Sequence, residues 1–503
     1  MLVRVRCGQH RGTSARDAQR VRRRPPLTAC VLLAALAAIA GCHQEERENQ
    51  VDLKSVLPQL AAAESSAQRM TLLDSLSTVD PATAQQGKVQ LLTEVRPFLA
   101  SSDHALAVKA GDLLSHWGDR TATSGLLRLL ADADPLIRLS AAASLTALAD
   151  PAATQALARA IEDPDPLVRA QACHALAALV PPSPTAAQAL RAVLGDHDAA
   201  VRAAAALAAG RVRLNEAVPN LLSLLSDPDP GVVSAAARAL GDLRAQEAAT
   251  PLRALLGRDS QPVRRATAEA LAMLGDHAAI PQLTALLAND DPALRMAALN
   301  ALRDLGDPTA LPAVLTVAGD ADPRVEVRVP FVVATLYRPD QLDFLLQTLK
   351  DKESRPDARA AVALGLGLAQ EHRSVGTLLE ALHDPAPRVR ARAAEGLGVL
   401  GDLETLPALK ETAFDDPDPE VRDPAQVILR VMQRTGGDLV ARLIDSLSDE
   451  EPGVRMFAAN ALGLLRTPRA VAPLRRVAET DEESLVRNTA TLSLLRITRN
   501  LDV

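Results

Sequence analysis

Aromatic side chains are almost missing from this chain: five Phe, one Tyr and one Trp in 503 residues. Its core must therefore be assembled from Ala, Leu and Val, and a stacking platform for a flat cofactor is poorly supplied. Cysteine is as scarce. Cys7, Cys30, Cys42 and Cys173 offer no disulfide framework and no Cys-x-x-Cys-His haem attachment. Cys173 lies in an Ala-rich stretch at a core-facing offset, so a buried free thiol is expected. The nine His are scattered, with no His-x-x-x-His pair, and there is no Gly-x-Ser-x-Gly elbow, Walker loop or dinucleotide fingerprint. These absences argue against an enzyme, a metal site or a cofactor. Strand-like alternation is also missing from the repeated part of the chain, which sets the fold class as all-α.

What is there is a repeated phrase: acidic turn, Pro, two residues, Val-Arg, an Ala-rich stretch, Leu-Gly. Asp163-Pro164-Asp165-Pro166-Leu167-Val168-Arg169 opens one copy and Asp416-Pro417-Asp418-Pro419-Glu420-Val421-Arg422 another. Counting by the Arg places copies at 138, 169, 202, 233, 264, 295, 328, 359, 390, 422, 455 and 487, only Val233 breaking the run. A fixed period of 31 to 33 residues is the mark of a solenoid. Leu190, Val193 and Leu194 recur at helical spacing before the acidic turn, so one helix precedes it. Asp196 and Asp198 are both read as caps of a second helix, whose end is expected at Gly241, Gly275, Gly306 and Gly401 in their copies. Three residues after the Arg the position is small, as at Ala141, Ala172, Ala236 and Ala298; seven after, it is Leu, as at Leu145, Leu176 and Leu240. The small positions let neighbouring helices approach and the Leu fills between repeats, so stacking supplies the core.

These residues resemble a HEAT repeat: Asp six places before Arg, as in Asp163 to Arg169, Asp384 to Arg390 and Asp416 to Arg422, with Val just before the Arg. The short period and the Asp-Pro-x-x-Val-Arg-x-x-Ala wording are similar to the phycobiliprotein-lyase-like subclass. The resemblance covers roughly residues 101–503 and implies an α-α superhelix of about thirteen helix pairs. It also implies that the Asp and Arg residues form a structural ladder between repeats rather than a phosphate-binding stripe. Deoxyhypusine hydroxylase, a HEAT-like metalloenzyme, uses recurrent His-Glu pairs; no His-Glu dipeptide occurs here, so that activity is not carried over.

The N-terminus carries a second signal. Arg22-Arg23-Arg24 precedes an apolar run from Leu32 to Ala38, followed by Ile39-Ala40-Gly41-Cys42. A basic flank, a short apolar core and small residues describe a secretory signal over 1–41, and the run is too short to span a bilayer comfortably. The last four residues resemble a bacterial lipoprotein box, which implies lipidation of Cys42 and an anchor on the outer side of a bacterial membrane. His43 in place of Asp after Cys42 favours the outer membrane in enteric-type sorting. The net charge is −7 overall and +7 within 1–41, hence −14 for the remainder. Phosphate neutralisation needs clustered Lys and Arg, so nucleic acid is not the expected partner.

Residues 42–52 read as a tether, 53–100 as an N-terminal helical cap and 101–503 as the solenoid, Asp103 to Lys109 opening a divergent first copy. Two copies break the pattern. One holds Pro330 with Phe331, Tyr337 and Phe344; the other has Asp423-Pro424 just after its Arg. Proline inside a helix removes a hydrogen bond and bends the axis. The aromatics either contact a partner or fill the space the bend opens. Five residues after the Arg runs a polar row, His174, Arg238, Glu269, Asn300, Glu395 and Asn460, which is either a varied partner-binding surface or an ordinary solvated face. The expected function is a lipid-anchored scaffold or adaptor for a protein partner in the bacterial envelope. The alternative is a lyase-like or ligand-handling accessory assisting attachment of a chromophore or cofactor.

Overall fold

The two aspartates of each acidic turn divide the work of starting a helix. In the copy at 163–169, Asp165 is the cap: its Oδ1 accepts from the amides of Leu167 and Val168 at 2.8 and 3.4 Å, groups that have no partner within the helix. Asp163 accepts instead from the Asp165 amide at 2.9 Å, which folds the turn and aims its carboxylate at the preceding repeat. Pro166 holds the first helical position, where a missing amide costs nothing. The same division recurs at Asp196 and Asp198, at Asp227 and Asp229, and at Asp320 and Asp322. Only the second aspartate caps, which corrects the expectation that both do.

The computed structural model describes residues 53–79, 81, 87–434 and 438–498; the segments expected to be a signal and a tether, with Cys42, lie outside them. The described residues are helical without strands, and thirteen long helices follow one another from His104–His116 to Ser484–Thr498, each paired with a shorter first helix before it. Most first helices open on a 3-10 turn, as Pro151–Ala153 leads into Thr154–Ala160, and second helices run 13 to 15 residues. Antiparallel pairs stacked in this way form an α-α superhelix.

The packing follows the small and large positions. Ala141, Ala172, Ala205, Ala236 and Ala298 are buried where adjacent second helices meet, and Leu145, Leu176, Leu240 and Leu302 fill between repeats. Gly275, Gly306 and Gly401 end their helices at φ 69°, 69° and 73°, the left-handed region in which a Cβ is strained. Gly241 does not. It lies inside Pro230–Asp242, where an added Cβ would sit 2.9 Å from the Ala270 Cα, and the left-handed residue of that copy is Arg244 at φ 51°. Close helix approach, not helix termination, explains that glycine.

One apolar core runs continuously from Leu53 to Met432 and a second from Val431 to Ile497. They meet at the Pro419–Met432 helix, which holds Pro424 in its interior. At the other end, Leu57, Leu60, Leu91 and Val95 are buried as an apolar stripe requires. Asp103 caps His104–His116, so the position equivalent to the repeat Arg is Ala107; Lys109 lies two residues further on and pairs with Asp74 at 2.5 Å.

Candidate partner-binding groove

The arginines of the repeat reach sideways. Arg169 donates from Nε and Nη2 to both oxygens of Asp196 at 2.9 Å, and its Nη1 donates to the backbone oxygens of Asp163 and Pro164. Arg138 to Asp163, Arg202 to Asp227, Arg295 to Asp320, Arg359 to Asp384, Arg390 to Asp416 and Arg455 to Asp481 repeat this two-pronged geometry. A planar guanidinium satisfies one carboxylate and two carbonyls at once, which lysine cannot do. Burial pushes the Asp384 carboxyl up, but hydrogen bonds from Arg359, Lys352 and the Ala386 amide outweigh it and hold it below the ordinary carboxylate value. Asp163, Asp196 and Asp416 behave alike.

The ladder has gaps. Val233 cannot donate, and Arg264, whose next copy carries Asn289 where a rung aspartate would stand, keeps an unpartnered buried Nε. Arg422 reaches only the backbone oxygen of Asp416, at 2.5 Å, while the buried Asp449 is held by Arg434 and by Arg430 from the far end of the same helix. Arg422 is therefore not a rung like Arg169 and Arg390.

Arg328 is not a rung either. Asp322 caps Pro323–Leu336, so the position equivalent to Arg295 is Glu326, which pairs with Arg388. Alignment by the capping Asp and the following Pro would have found this; alignment by the basic residue slips it by two. In the corrected register Phe331 joins the row of Asn300, Glu395 and Asn460.

That row faces the inner side of the superhelix, because Arg496 of the last helix reaches Phe331 of the row from several repeats away. The Arg496 guanidinium carbon lies 5.8 Å from the centroid of the Phe331 ring, although the two residues stand at opposite ends of the last six helix pairs. Arg496 Nη1 also donates to Asn460 Oδ1 at 2.9 Å. Arg328 donates from Nε and Nη2 to Asn300 Oδ1 at 3.0 and 2.9 Å, and Arg303 Nη1 donates to the same oxygen at 3.3 Å. Glu395 is bonded by Arg392 at 2.5 Å, and Glu269 lies 3.5 Å from Arg238. His174 is exposed, and desolvation by surrounding protein, then the Arg211 charge, lowers its pKa, as expected in a concave setting. The curvature that closes the groove coincides with backbone contact: a Cβ on Gly367 would lie 2.4 Å from the Gly396 Cα, and one on Gly365 2.6 Å from Val333.

The three aromatics of the irregular copy do not converge. Phe331 faces the groove, Tyr337 donates to the Glu371 carboxylate and accepts from Arg373, and Phe344 is exposed on the first helix that follows. Cys173 is buried, and desolvation pushes its thiol up to about 12. Among the described residues no three His, Cys, Asp or Glu are grouped to hold a metal ion, and no helix is long and apolar enough to cross a membrane.

Comparison with known proteins agrees on the architecture. The family model described as HEAT repeats matches seven segments between residues 92 and 495, namely 92–177, 123–210, 157–232, 187–272, 254–329, 342–430 and 426–495. Over 86 residues the chain is 37% identical to deoxyhypusine hydroxylase of Bos taurus, 16% of this chain and 28% of that enzyme. The chain thus matches little more than a quarter of that curated relative's length. Among solved structures, importin beta is similar at a TM-score of 0.49 and 15% identity, over 94% of this chain and 77% of that one. The karyopherin Kap121p bound to Ste12p is similar at 0.47 and 15%, over 88% and 53%. At these scores the likenesses carry no functional argument.

Proposed function

We propose a function from one premise: this chain belongs to the HEAT-repeat family. It acts as a scaffold that holds a protein partner against the inner face of its second helices, and it performs no chemistry of its own. The observation that carries this reading is the groove itself. Its two sides come within one arginine side chain of each other at Arg496 and Phe331, and its lining varies from copy to copy: His174, Arg238, Glu269, Asn300, Phe331, Glu395, Asn460. A surface kept regular only for stacking has no need of that variation, whereas recognition of an irregular partner does. Phe344 and Tyr337 stand outside the groove, Tyr337 as a tie to Glu371.

The lipoprotein-like N-terminus supports the second half of the proposal, that processing before Cys42 leaves a lipid-anchored protein on the outer side of a bacterial membrane. Crosslinking with mass spectrometry in intact cells, through a C-terminal tag, tests both halves. One dominant envelope protein crosslinked to the second helices is the expected result. Crosslinks confined to the first helices would overturn the groove as the contact surface. No enriched partner would transfer weight to a ligand-handling role. Labelled palmitate incorporated into the wild type but not into Cys42→Ala is expected; equal labelling would sink the anchor.

A further inference from the structure

Two positive charges in the groove are left without a carboxylate in a chain whose net charge is negative. Arg328 and Arg496 make no hydrogen bond or ion pair with a carboxylate among the described residues; each rests on a neutral amide, Asn300 or Asn460. Ladder arginines such as Arg169 and Arg390 are each matched to a carboxylate instead. Three N–H groups converge on Asn300 Oδ1, from Arg328 Nε, Arg328 Nη2 and Arg303 Nη1. An amide oxygen has two lone pairs, so this cluster has more donors than acceptors. Only Asp304 answers Arg303, at 2.6 Å. Desolvation, then the charges of Arg303 and Arg496, lowers the Arg328 pKa to about 10. Desolvation and the Arg466 charge lower that of Arg496. Bringing guanidinium groups together in a concave, partly dehydrated setting is unfavourable unless an anion joins them.

We propose that this cluster is a docking site for an acidic, extended segment of the protein partner, whose carboxylates are taken by Arg328 and Arg496 and whose apolar atoms lie on Phe331. The assignment rests on the scaffold reading and narrows it to one stretch of the groove, between Pro292–Leu305, Pro323–Leu336 and Ser484–Thr498. Charge complementarity selects the occupant. A carboxylate accepts two parallel N–H bonds from a guanidinium, and neither a basic nor a neutral segment relieves the repulsion.

Fluorescence anisotropy on the full chain with a labelled peptide alternating Glu and Ala tests this, its Gln counterpart and inorganic phosphate serving as the other arms. The Glu peptide is expected to bind about tenfold or more tighter than the Gln peptide, and Arg328→Gln to weaken it about tenfold. Arg328→Lys should restore part of the loss. Arg496→Gln, an exposed position on the last helix, should weaken binding in the same direction, and it carries the test should Arg328→Gln melt early. Equal affinity for the two peptides, or binding unchanged by both Gln variants, overturns the site. So does full displacement by phosphate at the peptide's own concentration, which would mark a small-anion site. Any of these leaves the scaffold reading to the crosslinking experiment, which does not depend on the peptide.

Discussion

The stretch from Pro166 to Asp242 and the stretch from Pro419 to Thr498 are written in the same repeat language and are held together differently. In the first, each second helix is joined by small buried residues at one level, and rungs from Arg169 to Asp196 and from Arg202 to Asp227 tie the turns at another. In the second, Pro424 interrupts the amide ladder of its helix, Arg422 makes no rung, and the apolar core is divided in two. Asp449 is still neutralised, but by Arg430 and Arg434 from the end of the helix. The rung and the core contact are therefore separable, and a buried Asp recruits whichever guanidinium lies in reach.

Acid should narrow the contrast most, because it acts on many rungs at once. The carboxyls of Asp163, Asp196 and Asp227 have folded pKa values below their unfolded value of about 3.9, so their contribution is present above that pH and is lost as pH falls through the folded values. Hydrogen exchange followed from neutral pH to below pH 4 should show protection falling across 166–242, where rungs are contiguous. An unchanged pattern would mean that the rungs contribute nothing net. Asp384→Ala comes next. Asp384 is 1% exposed and serves Arg359, itself 2% exposed, together with Lys352. Stranding a buried guanidinium costs about 3–5 kcal/mol, and denaturant titration would read it.

Gly367→Ala should cost about 1–3 kcal/mol through overpacking against the Gly396 backbone. Gly376→Ala, with open space around it, provides the matched control and should be neutral or slightly stabilising. The smallest effect sharpens the comparison by repair. Asn289→Asp offers Arg264 the carboxylate its copy lacks, and should raise stability by about 1 kcal/mol; no change in thermal midpoint would show that the rung adds nothing to a packed interface.

The repeat was legible in the sequence because caps, small positions and Leu positions are local and recur. Register in the irregular copies was not. Lys109 and Arg328 are basic residues near the expected spacing, yet the capping Asp103 and Asp322 place Ala107 and Glu326 in the equivalent positions. A cap is fixed by backbone amides, whereas a long basic side chain can arise two residues away and point elsewhere. Gly241 misled for a related reason: a glycine needed for close approach looks the same in sequence as one needed for a left-handed turn. The meeting of Arg496 with Phe331 had no local signal at all, since it depends on curvature accumulated over the repeats between them.

The divided core has a mechanical meaning. A stack of repeats transmits force as springs in series, so extension gathers at the most compliant joint. If compliance follows the buried core, that joint is the Pro419–Met432 helix, where the two apolar clusters meet and only the partly buried Phe457 packs against both. Beyond it the terminal arm carries Arg496 back toward Phe331. Tension between the two ends of the chain would open the groove from its C-terminal side first, leaving the long N-terminal seam intact and turning a static solenoid into a clasp with one moving jaw.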